Sequence, residues 1–403
     1  MSRSVLFMTS QLPHDPASGA PRSDRTLGEF LAEAGFRVRV LGTTATEQAA
    51  RGLGLEVLAR EGVSVRTGET SGRAVHRFAQ RGVEYTLLDV GAHDPASWME
   101  EMDGACDALL EELLAEERPD VVAGYGGLAG ERRRRARARS TGACCVFTLH
   151  NWGYFHERAF DDVDLVISPS RYVTEQYRTR LGLESLPMLM PMNPEDVIAK
   201  ERRPVFVTFV NPSRPKGVMA AARIVEDVCA KRGDIPFLVI NGRRTATDLV
   251  SAGLAGGFDL RRHERVVFSE GVARPADIYA VTRVMLVPSV WKEPGGRVSA
   301  EAVMNGVPAL LSDRGGMHEN ALGGAYVLPL PERLTPGTRK PITSAEAREW
   351  VELIELLWDD AEEHAGACWR AATAGRHYQR HVQVARFAEV FAGVRRREKP
   401  LLG

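Results

Sequence analysis

The stretch Pro288-Ser-Val-Trp-Lys-Glu293-Pro-Gly-Gly-Arg297-Val-Ser-Ala-Glu301-Ala-Val-Met-Asn-Gly-Val-Pro308 decides how the chain is read. An apolar strand ends at Val287, a tight Pro294-Gly295-Gly296 turn follows, and a helix begins near Arg297. Gly295 and Gly296 carry no Cβ, so a ligand can come close to their backbone. The next amides open a helix, where free N–H groups and the helix dipole favour an anion such as a diphosphate. Arg297 adds a charge-assisted contact. Two carboxylates bracket the turn. Glu301, inside the helix, is placed to accept from both vicinal hydroxyls of a ribose, and Glu293, before the turn, to hold hydroxyls of a sugar. Either glutamate alone reads as well as a solvated side chain; the weight lies in the combination.

Working outward, short apolar runs alternate with helical patterns. Strands are expected at Val5–Met8, Val38–Leu41, Glu84–Val90, Val121–Ala123, Cys145–Leu149 and Leu165–Ile167, with helices at Arg22–Ala34, Asp94–Glu117 and Ser170–Leu181, the last opened by Ser170 as N-cap. Pro187 to Pro204 holds four prolines and little periodicity and reads as a linker. A second series follows, with strands at Val205–Val210, Phe237–Ile240, Val266–Phe268, Met285–Val287, Ala309–Leu311 and Ala325–Leu328. Its helices are Val218–Arg232, Thr245–Ala255, Ala276–Val281, Val298–Asn305 and one long segment, Ser344–Ala365, with one or two more over Trp369–Arg397. Alternation of this kind builds parallel β-α units. The expected fold class is α/β, two doubly wound Rossmann-like domains facing each other across a cleft, where strand C-terminal ends collect ligands. Residues 44–80 carry no motif.

The quoted stretch resembles the E-x7-E element of retaining glycosyltransferases of the GT-B fold, family 4, with Glu293 and Glu301 as its two acids. The resemblance runs on through Gly306-Val-Pro308 and Asp313-Arg-Gly-Gly316-Met-His-Glu319, and upstream through Gly271-Val272-Ala-Arg-Pro-Ala-Asp277. It is strong over residues 205–330 and weaker before. Lys216-Gly217, after the first strand of the second domain, is similar to the family's phosphate-binding Lys-Gly. The family's Arg five positions before that Lys is replaced here by Asn211, so Arg214 or Arg297 takes over its charge. Gly19-Ala20, placed in a loop before the Arg22 helix, resembles the glycine loop that meets the donor diphosphate. His150, at a strand end, resembles the cleft histidine near the sugar, while Trp152 and Tyr154 either floor an acceptor site or pack.

The resemblance implies a nucleoside-diphosphate-sugar donor, UDP-sugar favoured over GDP-sugar, no cofactor and no metal. Catalytic roles fall to His150, Lys216 and Glu293. Donor contacts fall to Gly19, Ala20, Asn211, Arg214, Lys216, Gly242, Gly271, Val272, Glu293, Gly295, Gly296, Arg297, Val298 and Glu301. It implies an acceptor-side domain over residues 1–195, a donor-side domain over 196–375, and a C-terminal helix in 376–403 that crosses back to the first domain. The alternatives are a GT-B epimerase acting on the donor alone and a non-catalytic sugar-nucleotide-binding protein. A Rossmann dehydrogenase would need G-x-G-x-x-G after an early strand with an acid further on, and none is present.

Composition sets the remaining limits. Over 403 residues, Lys+Arg number 52 and Asp+Glu 53, a net charge of −1, which argues against a nucleic-acid-binding protein. The partners expected are a small-molecule donor and acceptor, with at most peripheral membrane association. The five cysteines, without a C-x-x-C, read as reduced thiols of a cytoplasmic protein. The apolar run at Val5–Met8 is too short for a signal peptide or a membrane span. The basic run Arg132–Arg139 reads as a solvated helix face or as a patch for an acidic acceptor or lipid headgroups.

Overall fold

The computed structural model describes residues 3–15, 18–46, 54–91, 95–242, 247–271, 274–398 and 401–402. They form two compact units, Met1–Pro191 with Arg380–Gly403, and Met192–Gln379.

The first unit opens with β1 (Ser4–Met8), α1 (Gly19–Glu33), β2 (Arg37–Thr43), α2 (Gly54–Arg60), β3 (Arg66–Thr70), β4 (Arg73–Gln80) and β5 (Val83–Leu88). It continues with α3 (Pro95–Glu116), β6 (Val121–Gly124), α4 (Ala129–Ser140), β7 (Cys144–Thr148), β8 (Leu165–Ser168), α5 (Arg171–Leu181) and β9 (Leu186–Pro187). Among the described residues these make a nine-stranded sheet in the order β3-β4-β5-β2-β1-β6-β7-β8-β9. Every pair from β5 to β9 is parallel. β6 and β7 are buried along their whole length, as a sheet covered on both faces requires. Ser170 caps α5 as expected, its side chain accepting from the Val173 amide.

β3 and β4 are antiparallel additions within the stretch that carries no motif. Their signals are Ser71-Gly72 and Arg81-Gly82, with φ of 52°, 74°, 48° and 78°, the left-handed pair of a two-residue hairpin turn. β3 is exposed at all but its last residue, so no alternation of apolar side chains marks it.

The basic run on α4 divides between exposed arginines, Arg133 and Arg137, and buried ones, Arg134 and Arg135. α3 presents Asp103, Asp107 and Glu111 one turn apart, and the arginines fall on them. Arg134 Nη1 lies 2.9 Å from Asp103 and 3.1 Å from Asp107, Arg133 Nη2 2.8 Å from Asp107, and Arg137 Nε 2.6 Å from Glu111. Arg135 is buried and donates to the Ala159 carbonyl at 2.6 Å, while Arg139 pairs with Asp164 at 2.8 Å. The exposed pairs add little stability each, about 0.2–1 kcal/mol.

The second unit comprises α6 (Pro194–Val197), β10 (Phe206–Val210), α7 (Val218–Lys231), β11 (Phe237–Ile240), α8 (Thr247–Ala255), β12 (Val266–Ser269), α9 (Pro275–Val281) and β13 (Thr282–Val287). Then come α10 (Arg297–Met304), β14 (Ala309–Ser312), α11 (Met317–Ala321), β15 (Tyr326–Leu328), α12 (Ser344–Asp359) and α13 (Ala361–Gly375). The sheet is wholly parallel in the order β12-β11-β10-β13-β14-β15. The chain winds outward from β10 in one direction, returns to β13 and winds outward in the other. The topological switch point therefore lies between β10 and β13.

The single helix expected over Ser344–Ala365 is two. Asp360 is extended (φ −96°, ψ 106°) and its side chain accepts from the Glu362 and Glu363 amides at 2.9 Å each. A short acidic side chain that caps its own neighbours in this way competes with helix continuation. The last helix, α14 (Arg380–Gly393), belongs to the first unit. Its Phe391 ring lies 6.4 Å from Phe7 and its Phe387 ring 6.4 Å from Phe30. No helix among the described residues is long and apolar enough to cross a membrane.

Asp360→Ala removes the α13 cap and is expected to cost about 1 kcal/mol, read in urea unfolding, with Asp360→Asn close to the parent chain.

Candidate functional site

Two loops leave the C-terminal ends of the neighbouring strands β10 and β13, and they are stitched together. The Val290 and Trp291 amides both donate to the Pro215 carbonyl at 3.1 Å, and the Ser289 hydroxyl donates to the same oxygen at 3.0 Å. The approach is so close that only glycine fits between them. Gly217, at φ 81°, N-caps α7, and a Cβ there would lie 1.7 Å from the Pro288 carbonyl oxygen. Gly315, at φ 72°, does the same from the β14 side, where a Cβ would lie 2.4 Å from the Glu293 carbonyl oxygen. Glu293 bridges Gly315 in a parallel pair and accepts from the Gly316 amide at 2.8 Å.

This stitching brings together two residues that sequence reasoning assigned separately. Lys216 Nζ donates to Glu293 Oε1 at 2.5 Å, and Ser289 Oγ, whose single proton is shared with the Pro215 carbonyl, lies 3.1 Å from the same oxygen. Glu293 is 5% exposed, whereas the Lys216 side chain keeps 29% of its surface. A buried carboxylate is thus matched by a cation that is partly in solvent. Removing the cation leaves the charge unpaired, which is costly.

Glu301 is not a solvated glutamate either. It is buried on α10, takes a hydrogen bond from the Tyr279 hydroxyl on Oε2 at 3.1 Å, and has Arg297 Nε 3.6 Å from Oε1. Burial and then the Glu301 charge hold the Tyr279 phenol well above its ordinary range, so it stays a donor. The same hydroxyl reaches the Val298 carbonyl at 3.3 Å. Gly296, at φ 73°, N-caps α10, and a Cβ there would meet Met317 Cγ at 2.6 Å; Gly295 beside it is buried. The corner therefore holds two fixed carboxylates, a lysine, an arginine and the first free amides of a helix. It can take an anion at the amides and Lys216, and hydroxyl groups at the carboxylates.

The other expected donor contacts spread along the same sheet edge. Asn211, after β10, adopts φ 58°, and its Oδ1 is buried with no hydrogen-bond partner among the described residues. It lies against Gly242, where a Cβ would come 2.9 Å from Asn211 Cβ. Arg214 and Gly271 are exposed, and Val272 lies outside the described residues.

In the first unit, Gly19 and Ala20 are not in a loop before the helix; they are its first two residues. Ser18 is the extended N-cap, and Pro21 sits within the first turn, where its missing N–H costs nothing. His150 follows β7, its Nε2 2.8 Å from Asp24 Oδ1. Tyr154 is buried edge-on against Phe147 at 5.0 Å, with its phenol raised by burial. Trp152 is half-buried and stacks on Phe155 at 5.9 Å. Sequence reasoning did not find Asp24, Ser289 or Gly315. Ser289 and Gly315 lie within the quoted stretches without a role there, and Asp24 lies outside them and meets a residue distant in the chain.

No family model matches the chain, and no curated protein matches it. Solved structures do. A sucrose-phosphate synthase from Thermosynechococcus elongatus aligns at 16% identity with a TM-score of 0.67, over 97% of this chain and 98% of that one. HepE from Anabaena, in complex with UDP and glucose, aligns at 15% with a TM-score of 0.63, over 97% and 100%. The catalytic domain of starch synthase IV from Arabidopsis thaliana, bound to ADP and acarbose, aligns at 11% with a TM-score of 0.62, over 96% and 100%. The chain has the GT-B fold. In this GT-B chain the two Rossmann-like units are the two described above, and the Lys216–Glu293 corner stands at the switch point of the second.

Gly217→Ala and Gly315→Ala are each expected to destabilise the second unit by about 3 kcal/mol or more, since backbone must move to admit the methyl. Gly104→Ala, inside α3 with nothing among the described residues within 4 Å of the added carbon, is expected to gain about 0.5–1 kcal/mol. Urea unfolding of the three variants reads the contrast.

Proposed function

We propose that the chain is a retaining glycosyltransferase of the family 4 type. It moves a sugar from a nucleoside-diphosphate sugar, UDP-sugar favoured, to an acceptor hydroxyl. The observation that carries this reading is the Lys216–Glu293 pair beside the N-terminus of α10, at a switch point where α/β sheets receive ligands. The UDP-glucose and UDP held by Anabaena HepE support the donor class. The second unit takes the donor and the first the acceptor.

The reaction breaks the bond between the anomeric carbon and the donor's diphosphate oxygen and forms a bond to the acceptor oxygen. Negative charge grows on the diphosphate as that bond breaks. Lys216, the α10 amides and either Arg297 or Arg214 stabilise it, and groups already oriented need no reorganisation to do so. Glu293, turned by Lys216 and Ser289, holds sugar hydroxyls. Glu301, fixed by Tyr279, accepts from the ribose. The departing diphosphate takes the proton of the incoming hydroxyl on the same face, so the anomeric configuration is kept and no protein nucleophile is needed. Gly19, Ala20 and His150 of the first unit are assigned to the donor's phosphate and sugar.

Calorimetry with UDP and a turnover assay test the roles separately. Glu301→Ala is expected to weaken UDP binding about tenfold or more, the loss of a charge-assisted contact. Lys216→Ala is expected to lower turnover about 10²–10³-fold. Unchanged UDP affinity in Glu301→Ala removes the ribose assignment. NMR of the donor alone separates the alternatives: an accumulating epimer means an epimerase, and binding without consumption in the presence of acceptors means a silent binding protein.

A further inference from the structure

We propose that Asp24 fixes the proton and the orientation of His150, so that the imidazole meets its ligand through Nδ1, as the acceptor of a hydrogen bond from a sugar hydroxyl. The identity of the ligand rests on the function proposed above; the state of the imidazole rests on geometry alone.

Asp24 stands on α1, and only 6% of it is exposed. Its two oxygens are both used. Oδ2 accepts from the Thr148 hydroxyl at 3.1 Å, and Oδ1 lies 2.8 Å from His150 Nε2. Thr148 and His150 are two residues apart in an extended segment whose Leu149 amide still donates to the Ile167 carbonyl at 2.8 Å. They therefore share a side of that segment and meet one carboxylate together. No Lys or Arg pairs with Asp24 among the described residues. A buried carboxylate without a cation is costly, and its two hydrogen bonds are what it has in return.

With Asp24 ionised, the bond to His150 has one chemical reading. An ionised carboxylate accepts and cannot donate, so the shared proton is on Nε2. In the neutral ring Nδ1 is then a lone pair. Tyr125 holds the ring from the side, edge-on at 5.1 Å and 89°. Its hydroxyl is engaged elsewhere, donating to Gln11 Oε1 at 2.9 Å and accepting from Thr9 at 3.2 Å. No hydrogen bond reaches His150 Nδ1 among the described residues, and 13% of the side chain remains exposed. A lone pair repels phosphate oxygens and accepts from a hydroxyl. With the ring neutral, His150 thus reads the sugar and not the diphosphate. Asp24 acts through it, as a positioning residue.

The test is long-range ¹H–¹⁵N NMR of the uniformly labelled full chain at a pH where the ring is neutral, with His150→Gln used to assign the signals. The parent chain is expected to carry the His150 proton on Nε2. Asp24→Asn keeps the shape, but it turns its NH₂ group to His150 and its oxygen to Thr148, and so should move the proton to Nδ1. In that variant, donor turnover is expected to fall about 10–100-fold through kcat, with the thermal midpoint close to the parent's. A parent chain protonated on Nδ1 overturns the proposal, and that measurement needs no variant to fold. An inverted tautomer with unchanged turnover overturns the hydroxyl reading. If the parent chain consumes no sugar nucleotide, the enzymatic reading fails, while the tautomer still decides the role of Asp24.

Discussion

The close approach of two loops at the β10/β13 edge is the constraint from which the rest of the second unit follows. Pro215 gives its carbonyl to three donors of the opposite loop. Gly217 leaves no room for a Cβ, and Gly315 presses on Glu293 from the other flank. Only with these distances in place can a lysine from one loop and a glutamate from the other share a 2.5 Å hydrogen bond. The parallel order of the sheet is what brings the two loops side by side. Residues distant in sequence become partners because their strands are neighbours.

The second unit was largely legible in the sequence, for a physical reason. Its central strands, β10, β11, β13 and β14, are short, apolar and largely buried, so they stand out from the amphipathic helices between them. Phe237–Ile240 falls where the pattern places it. The glycine-kinked turn and helix start after β13 were likewise readable, because the left-handed backbone at Gly296 is a local demand, while its contact with Met317 is not. What stayed hidden depends on contacts across the chain. Nothing near Glu293 in sequence announces Lys216, and nothing near Glu301 announces that Tyr279 will occupy one of its oxygens. Asp360 hid a helix break because a lone acid in a helical pattern reads as a solvated residue until its side chain is seen to cap.

The first unit was read less well because its distinctive features are polar. β3 shows no hydrophobic period, and its turn signals are two ordinary-looking dipeptides that take left-handed backbone. The arginine run of α4 looked like a surface. Part of it, Arg133, Arg134 and Arg137, is matched turn by turn to carboxylates of α3. A charge run carries no label saying whether its partner is solvent, a ligand or the neighbouring helix; only the packing decides. His150 shows the same limit at finer scale. Its place at a strand end was readable, while the acid that orients it lies far upstream on α1.

The central claim is that the switch-point corner grips a sugar nucleotide by its diphosphate. A crystal structure of the chain grown with UDP tests it most directly. The account predicts diphosphate density against Lys216 and the first amides of α10, with the ribose hydroxyls on Glu301. Density for UDP at any other place, with that corner open to solvent, would contradict it.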